Sequence, residues 1–354
     1  KETINLHDYA KGKDLNPDYS FMVTKEQVDL AEAMVRSRRF AGLNLSDYCN
    51  VLDKEVEKQF AAMIFSLPEL DYHQLVFRGT DIGHWMEGGF SADYSREIPA
   101  HRSAIAFRSD HLPNLSGYII VSGHSKGGNL ALYSAIKARL VLREQIAELL
   151  LLDSPRLMKP LLENPAYQEL KVKMTVIRPR DSVVGHAYWE QAAQLVAAEG
   201  IGIFQHNALL WQVDPENREF IYVDQPTEMS QHMEGTFQER LDIAKSRTQA
   251  SLDLFFDTIL DSGIESIDDI SIKTLPKLGQ LLQEFGNLTD QQKKVLQDGF
   301  NQLLSIFWKS GNKKYSHPKL ELPDFIKKLS ELTTTIRAAE SLKWRISCQK
   351  RTYY

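Results

Sequence analysis

A serine between glycines marks the point where an apolar run gives way to a helical pattern. Ser125 lies in the segment Gly123–Gly127, whose sequence is Gly-His-Ser-Lys-Gly, a G-x-S-x-G pattern. The apolar run Tyr118–Val121 precedes it, and the periodic run Leu130–Ala135 follows. Strand, tight turn and helix form the context in which this pattern is a nucleophile elbow. The helix N-terminus beneath Ser125 would favour negative charge on a bound carbonyl oxygen. An ordinary glycine-rich turn is the alternative.

A serine hydroxyl attacks a carbonyl only with a general base, which in turn needs an orienting acid. In α/β hydrolases these residues follow in the order serine, acid, histidine. His206 lies in a loop after the glycine-containing segment 199–202 and before the apolar run 208–213. That place favours His206 as the base. The other downstream histidines, which we expect on helices or in a polar break, are His186, His232 and His317.

Two aspartates are candidates for the acid. Asp153 directly ends the apolar run Leu149–Leu152, and Asp181 follows the predicted strand 172–177 through three further residues. Either could instead accept backbone N–H groups in a turn. Because the acid normally follows a later strand of the sheet, strand order favours Asp181. Asp153 is then the alternative acid, or a structural turn residue.

The oxyanion that forms during acyl transfer needs two hydrogen-bond donors. The residue after the nucleophile supplies one backbone N–H, here that of Lys126. The second donor comes from a loop after an earlier strand, and Thr80 stands in such a place, after the strand end at Phe77 and a glycine. We expect its backbone N–H to be the second donor, with its hydroxyl as a supplement. A plain glycine turn is the alternative.

Bulk properties exclude several classes of function. A net charge of −5 gives no reason to expect a nucleic-acid partner. The only cysteines, Cys49 and Cys348, are too far apart for a redox or metal-ligand motif, so we expect free thiols, no metal and no cofactor. No run approaches the ~18 apolar residues of a membrane span. We expect a cytoplasmic protein.

The chain has two predicted parts. Residues 1–225 form the first part. After a mixed helical segment at 1–50, short apolar strands alternate with helical stretches from about residue 59 to 224, as in a mostly parallel, doubly wound α/β sheet. The predicted helices at 126–140 and 159–170 would form the crossovers between parallel strands. Residues 226–354 carry helical patterns without a convincing strand, which predicts a helical appendage.

Two segments resemble the lipase class 3 branch of the α/β hydrolases. They are Val76–Asp81, followed by Trp85, and Gly123–Ala131 with the sequence GHSKGGNLA. A bacterial group of uncharacterised lipase-like hydrolases has the same elbow and a segment similar to 181–185. The resemblance covers about residues 20–225 and implies an α/β-hydrolase fold and ester hydrolysis. Lys126 departs from secreted lipases, and it would contact an acidic substrate group or pair with a carboxylate such as Asp81.

These residues predict a serine hydrolase that acts on a small-molecule or lipid ester through Ser125, His206 and Asp181. One alternative is a binding module that keeps the pocket without catalysis and interacts through the appendage. Another is acyl transfer to an acceptor other than water, which uses the same triad. The appendage could cover the pocket as a lid or touch a membrane surface. The side chains that suggest this are Leu281, Leu282, Phe285, Leu303, Leu304 and Phe307.

Overall fold

A computed structural model of the chain describes residues 3–227, apart from 14, 16–24, 54, 56–57, 80–96, 156, 158, 183–192 and 200–204. The chain divides into two compact units, residues 1–18 with 25–243 and residues 19–24 with 244–354. All described residues belong to the first unit. The predicted helical appendage at 226–354 lies outside the described residues, except for Pro226 and Thr227, and its boundary stays a prediction.

The described residues form one large sheet and one small hairpin. The strands are β1 (Thr3–Asn5), β2 (Asn44–Asp53), β3 (Lys58–Leu67), β4 (Tyr72–Phe77), β5 (Tyr118–His124), β6 (Ile146–Leu152), β7 (Met174–Pro179), β8 (Gln194–Val196), β9 (Val213–Asp214), β10 (Glu219–Phe220) and β11 (Tyr222–Val223). The large sheet has the order β1-β2-β3-β4-β5-β6-β7-β8-β11. Its strands β4 to β8 are parallel, whereas the strands at both edges pair antiparallel.

Helices connect the parallel strands. The α-helices of the described part are α1 (Leu6–Ala10), α2 (Lys25–Arg36), α3 (Pro99–His111), α4 (Lys126–Ile136), α5 (Leu140–Gln145), α6 (Lys159–Leu162) and α7 (Pro165–Leu170). α3 packs against α4, and α4 also contacts α7, so these three form one layer. Every residue of α4 is buried, as expected of a helix enclosed by sheet and neighbouring helices. The predicted α/β-hydrolase fold, a mostly parallel sheet with helices, is confirmed.

The sequence predicted the central strands more accurately than the N-terminal ones. The apolar runs before Ser125 and Asp153 are the buried strands β5 and β6, with Val121 and Leu149 fully enclosed. The prediction of mixed helix and loop over residues 1–50 is incomplete, because β1 and most of β2 lie there. β2 is rich in Asn, Ser and Asp, which are depleted in strands, so its pattern was weak. Pairing with β3 is what holds it.

The register of β5 and β6 places their ends side by side. His124 pairs with Leu152, so the next residues in each strand, Ser125 and Asp153, emerge together at the carboxyl edge of the sheet. Neighbouring strands lie about 4.8 Å apart. The carboxyl edge of an open parallel sheet is where ligands bind in such folds. This register therefore brings a hydroxyl and a carboxylate to one place.

Candidate active site

Ser125 joins β5 directly to α4 in a strained conformation. Its φ is 56° and its ψ is −132°. Positive φ in a residue with a side chain costs roughly 1–3 kcal/mol and is found most often at functional sites. At Gly127 an added Cβ would lie 2.0 Å from the backbone oxygen of Phe77, at the end of β4. Glycine is therefore required there, and the predicted nucleophile-elbow geometry is present.

Asp153 stands beside the elbow, at the end of β6. The Ser125 N–H donates to the carbonyl of Leu152 at 2.9 Å, which fixes the two turns against each other. Asp153 has no exposed surface, and its φ is 40°. A buried carboxylate must be satisfied by donors. Among the described residues it has two: the Ser182 hydroxyl donates to Oδ1, and His206 Nδ1 donates to Oδ2 at 2.6 Å.

The contact with Asp153 fixes the orientation of the His206 ring. Because the carboxylate of Asp153 can only accept, the proton of the neutral imidazole is assigned to Nδ1, which leaves Nε2 able to take a proton. The side chain of His206 is 17% exposed. Within the described ranges the Ser125 hydroxyl forms no hydrogen bond. We expect the bond to His206 Nε2 to form when substrate binds, because such contacts are often loose in free enzymes.

The loop that carries His206 is held by hydrogen bonds at two successive carbonyls. The Trp211 indole donates to the carbonyl of Gln205 at 2.8 Å, and His124 Nε2 donates to the carbonyl of His206 at 2.9 Å. The two imidazole rings of His124 and His206 lie 4.5 Å apart between centroids. The residue before Ser125 thus contacts His206 directly. No sequence pattern predicts this contact of His124.

His124 is neutral at physiological pH. Desolvation, and second the neighbouring His206, lower its pKa from 6.5 to about 4. A neutral ring that donates from Nε2 fits the contact with the His206 carbonyl. The charge of Asp153 and the hydrogen bond to the His206 carbonyl act in the opposite direction, but they raise the pKa by less than the first two causes lower it. His124 is therefore a fixed donor in the site and does not compete with His206 as the base.

The assignment of the acid to Asp181 is not the arrangement in the structure. The carboxylate of Asp181 accepts from the Thr227 hydroxyl at 2.6 Å and from the Thr227 N–H at 3.2 Å. Its other oxygen lies 3.4 Å from Gln205 Nε2. Asp153, the alternative, is the partner of His206. The physical reason is position in the sheet: Asp153 ends the strand next to β5, whereas Asp181 follows β7, one strand farther away.

One of the two predicted oxyanion donors can be placed. Lys126 is the first residue of α4, so its N–H is among those that a helix leaves without an internal partner. Thr80 lies outside the described residues, as do His186, His232 and His317. The residue before Thr80 is close to the elbow, because a Cβ on Gly79 would lie 3.4 Å from Ser125 Cβ. The role of Thr80 stays a prediction.

The side chain of Lys126 turns away from solvent. It is 4% exposed, and its Nζ donates to the carbonyl of Gln59 at 2.9 Å. Burial, and second the nearby Arg78, lower the pKa of this amine to about 8. The predicted partner Asp81 lies outside the described residues. The observed contact is a carbonyl of β3 rather than an acidic group.

A family comparison covers most of the described residues. A model of the Mbeg1-like family matches residues 34–258, which is more than half of the chain and includes the elbow, Asp153 and His206. The chain belongs to the Mbeg1-like family. A comparison with functionally curated proteins finds no match.

Two of the solved structures to which this chain is similar are lipases. Rhizomucor miehei lipase in complex with its propeptide is 17% identical, with 52% of this chain matching 62% of that one at a TM-score of 0.33. This Mbeg1-like chain therefore spans less than two thirds of that lipase. A lipase from Yarrowia lipolytica is 15% identical over 60% of this chain and 92% of its own, with a TM-score of 0.34. The fold assignment rests on the strand order and the elbow.

A buried polar network supports the elbow of this Mbeg1-like chain from below. His101 Nε2 donates to Asn129 Oδ1 at 2.7 Å, while the Ile98 N–H donates to His101 Nδ1 at 3.1 Å. Asn129 in turn donates to the carbonyl of Pro155 at 3.3 Å. The network joins the starts of α3 and α4 to the turn after Asp153. Sequence reasoning missed it, because no pattern links residues so far apart.

The described ranges contain no group of three or more His, Cys, Asp or Glu side chains arranged to hold a metal. None of the helices in these ranges has both the length and the apolar content that crossing a membrane requires.

Proposed function

We propose that this chain is a serine hydrolase that cleaves carboxylic esters, with Ser125 as nucleophile, His206 as general base and Asp153 as the orienting acid. The observation that carries the proposal is the 2.6 Å bond between His206 Nδ1 and a fully buried Asp153 beside a strained Ser125. A triad is recognised by the geometry and roles of its members rather than by their sequence positions, and the contact between His206 and Asp153 beside Ser125 supports this one.

In the first half of the reaction, Ser125 Oγ attacks the ester carbonyl carbon and His206 Nε2 takes the hydroxyl proton. Asp153 stabilises the imidazolium that forms, without itself taking the proton. The Lys126 N–H, with that of Thr80, would bind the oxyanion, and each such donor is worth about 3–4 kcal/mol. Collapse of the tetrahedral intermediate breaks the ester C–O bond. The imidazolium proton goes to the leaving alcohol, and the acyl group remains on Ser125.

In the second half, water attacks the acyl group as His206 takes one of its protons. Collapse of the second intermediate breaks the bond to Ser125 Oγ, which recovers the proton, and the carboxylic acid leaves. Electrons and protons balance without a cofactor. The substrate that we propose is a small-molecule or lipid ester. The cytoplasmic location rests on the absence of a cysteine pattern typical of disulfide-bonded proteins, and it stays a prediction.

The test is hydrolysis of p-nitrophenyl esters of increasing chain length by the full chain, with Ser125→Ala as the test variant. The matched control is Ser134→Ala, because this buried serine lies on the same helix and donates only to the carbonyl of Ala131. We expect Ser125→Ala to lose at least about 10³-fold in kcat and the control to stay within about twofold of wild type. Full esterase activity in Ser125→Ala would contradict the proposal.

Intact-mass analysis during turnover distinguishes the alternatives. An acyl adduct on Ser125 that water clears supports hydrolysis. An adduct that clears only when an alcohol or amine acceptor is added would indicate acyl transfer instead. Folded wild-type protein that forms no adduct with any ester would contradict catalysis and favour the binding module.

A further inference from the structure

The loop after β7 contacts both partners of the nucleophile through two adjacent residues. Ser182 is 1% exposed, and its hydroxyl donates to Oδ1 of Asp153, the oxygen that His206 does not use. Asp181, one residue earlier, bonds the side chain of Gln205, the residue directly before His206. One dipeptide therefore touches the acid through one residue and the loop of the base through the other.

The contact between Asp181 and Gln205 is reciprocal. The Asp181 N–H donates to Gln205 Oε1 at 3.1 Å, and Gln205 Nε2 approaches Asp181 Oδ2 at 3.4 Å. Gln205 is 1% exposed, and its Nε2 also reaches the carbonyl of Ala198. A buried amide side chain whose oxygen and nitrogen are both hydrogen-bonded holds the backbone that carries it in place. The next residue along that backbone is His206.

A third segment, the chain after β11, also contacts Asp181. Thr227, which follows β11, donates to Asp181 Oδ1 through both its hydroxyl and its N–H. Arg180 Nε lies 3.6 Å from Oδ2 of the same carboxylate. Asp181 thus holds together the loop after β7, the loop of the base and the chain beyond the last strand.

We propose that Asp181 and Ser182 are positioning residues for catalysis: Asp181 holds the loop of His206, and Ser182 holds the carboxylate of Asp153. The proposal rests on the proposed triad. Neither residue touches the reacting atoms. Displacement of a base by about 1 Å can cost on the order of 100-fold in rate. Loss of either contact therefore lowers kcat and leaves KM nearly unchanged.

The first test is Asp181→Asn in the full chain. An amide at this position can still accept from Thr227 through its oxygen, but its NH₂ group then faces the Gln205 NH₂ group. We expect kcat to fall about tenfold, with KM within about twofold of wild type. The matched control is Asp214→Asn, because Asp214 accepts backbone N–H groups in the β9–β10 turn, away from His206. We expect the control to keep wild-type kcat.

The second test is rescue by exchange of donor and acceptor. In the double variant Asp181→Asn with Gln205→Glu, the carboxylate moves to position 205 and accepts from the new amide and from the backbone N–H of residue 181. We expect a recovery of about threefold in kcat over Asp181→Asn. Recovery is partial because the contact of Gln205 with the Ala198 carbonyl is lost. A merely structural role of Asp181 would not give this rescue.

Ser182→Ala and Thr227→Val complete the set. Ser182→Ala removes one of the two donors to Asp153 and should lower kcat about tenfold. Thr227→Val removes the shortest contact to Asp181 and should lower kcat about threefold. Wild-type kcat in Asp181→Asn and Ser182→Ala, both folded, would overturn the proposal, and so would equal losses in Asp214→Asn. Failure of the triad itself is distinguishable, because Ser125→Ala would then keep full activity.

Discussion

The dipeptide Asp-Ser follows each of two neighbouring parallel strands, and the two dipeptides make different contacts. After β6, Asp153 is fully buried and binds His206, while Ser154 lies against α4. After β7, Asp181 binds Gln205 and Thr227, and Ser182 reaches back to Asp153. The carboxylate of Asp153 thus contacts the ring of His206, whereas Asp181 contacts the residue before His206 in the chain.

The two dipeptides lie at different distances from β5, the strand directly before Ser125. β6 is the neighbour of β5, whereas β7 is one strand farther, about 10 Å from β5 at the usual strand spacing. Here the imidazole of His206 meets the carboxylate at the end of the nearer strand. The more distant aspartate is left to hold the loop of the histidine.

The variant Asp153→Asn gives the largest expected contrast with Asp181→Asn. An amide at position 153 would present a donor to His206 Nδ1 and favour the wrong tautomer of the imidazole. We expect kcat for ester hydrolysis to fall about 10³- to 10⁴-fold, against about tenfold for Asp181→Asn. Asparagine tolerates positive φ, so the fold should survive. Circular dichroism checks the fold, and similar kcat values in the two variants would remove the distinction between the two loops.

The variant Gly128→Ala tests how tightly α4 packs against the turn of Asp153. The new Cβ would lie 2.7 Å from Ser154 Cβ and 2.9 Å from the carbonyl oxygen of Gly123. We expect a loss of about 1–3 kcal/mol in the free energy of unfolding and at least about tenfold in kcat. Both are measured on the same preparation, by urea unfolding and by ester hydrolysis.

Gly12→Ala is the matched control for this packing test. Nothing lies within 4 Å of a Cβ at Gly12, so only its φ of +72° opposes the change. We expect a cost of about 1 kcal/mol without any loss of activity. Wild-type stability and kcat in Gly128→Ala would show that the turn of Asp153 does not depend on contact with α4.

Acid pH lowers the free energy of unfolding gradually through His124. Its folded pKa of about 4 lies below the ordinary value of 6.5, so the unfolded chain binds the proton more readily. The stability that this group contributes is present above pH 6.5 and is lost as the pH falls towards 4. Between pH 7 and pH 5 we expect a loss of about 2 kcal/mol in the free energy of unfolding.

The variant His124→Gln isolates this contribution. Glutamine keeps an Nε2 donor for the His206 carbonyl but does not titrate, so its unfolding free energy should fall less steeply over the same pH range. Urea unfolding of both proteins at pH 7, 6 and 5 measures the difference. Parallel pH dependences would show that His124 is not held neutral by its surroundings.

The sequence contains enough to place Ser125 at the elbow and His206 in a loop of the candidate site, but not to predict which aspartate contacts His206. Gly127 and the apolar run before Ser125 are local sequence features, and they predict the elbow. The position of His206 in a loop after Ser125 is predicted from chain order. The choice between Asp153 and Asp181 depends on lateral strand order and on contacts such as that between Asp181 and Thr227, which are 46 residues apart. β2 was missed for a related reason, because its partner β3 rather than its own composition makes it a strand.

The most direct test of the account is the rate at which a fluorophosphonate labels Ser125 in wild type, Asp153→Asn and Asp181→Asn, with the site mapped by mass spectrometry. Labelling requires an activated serine but no substrate recognition beyond the elbow. The account predicts labelling at Ser125 in wild type, a rate about 10³-fold lower in Asp153→Asn, and one about tenfold lower in Asp181→Asn. The reverse order of the two variants would contradict the assignment of the acid, and labelling elsewhere would contradict the assignment of the nucleophile.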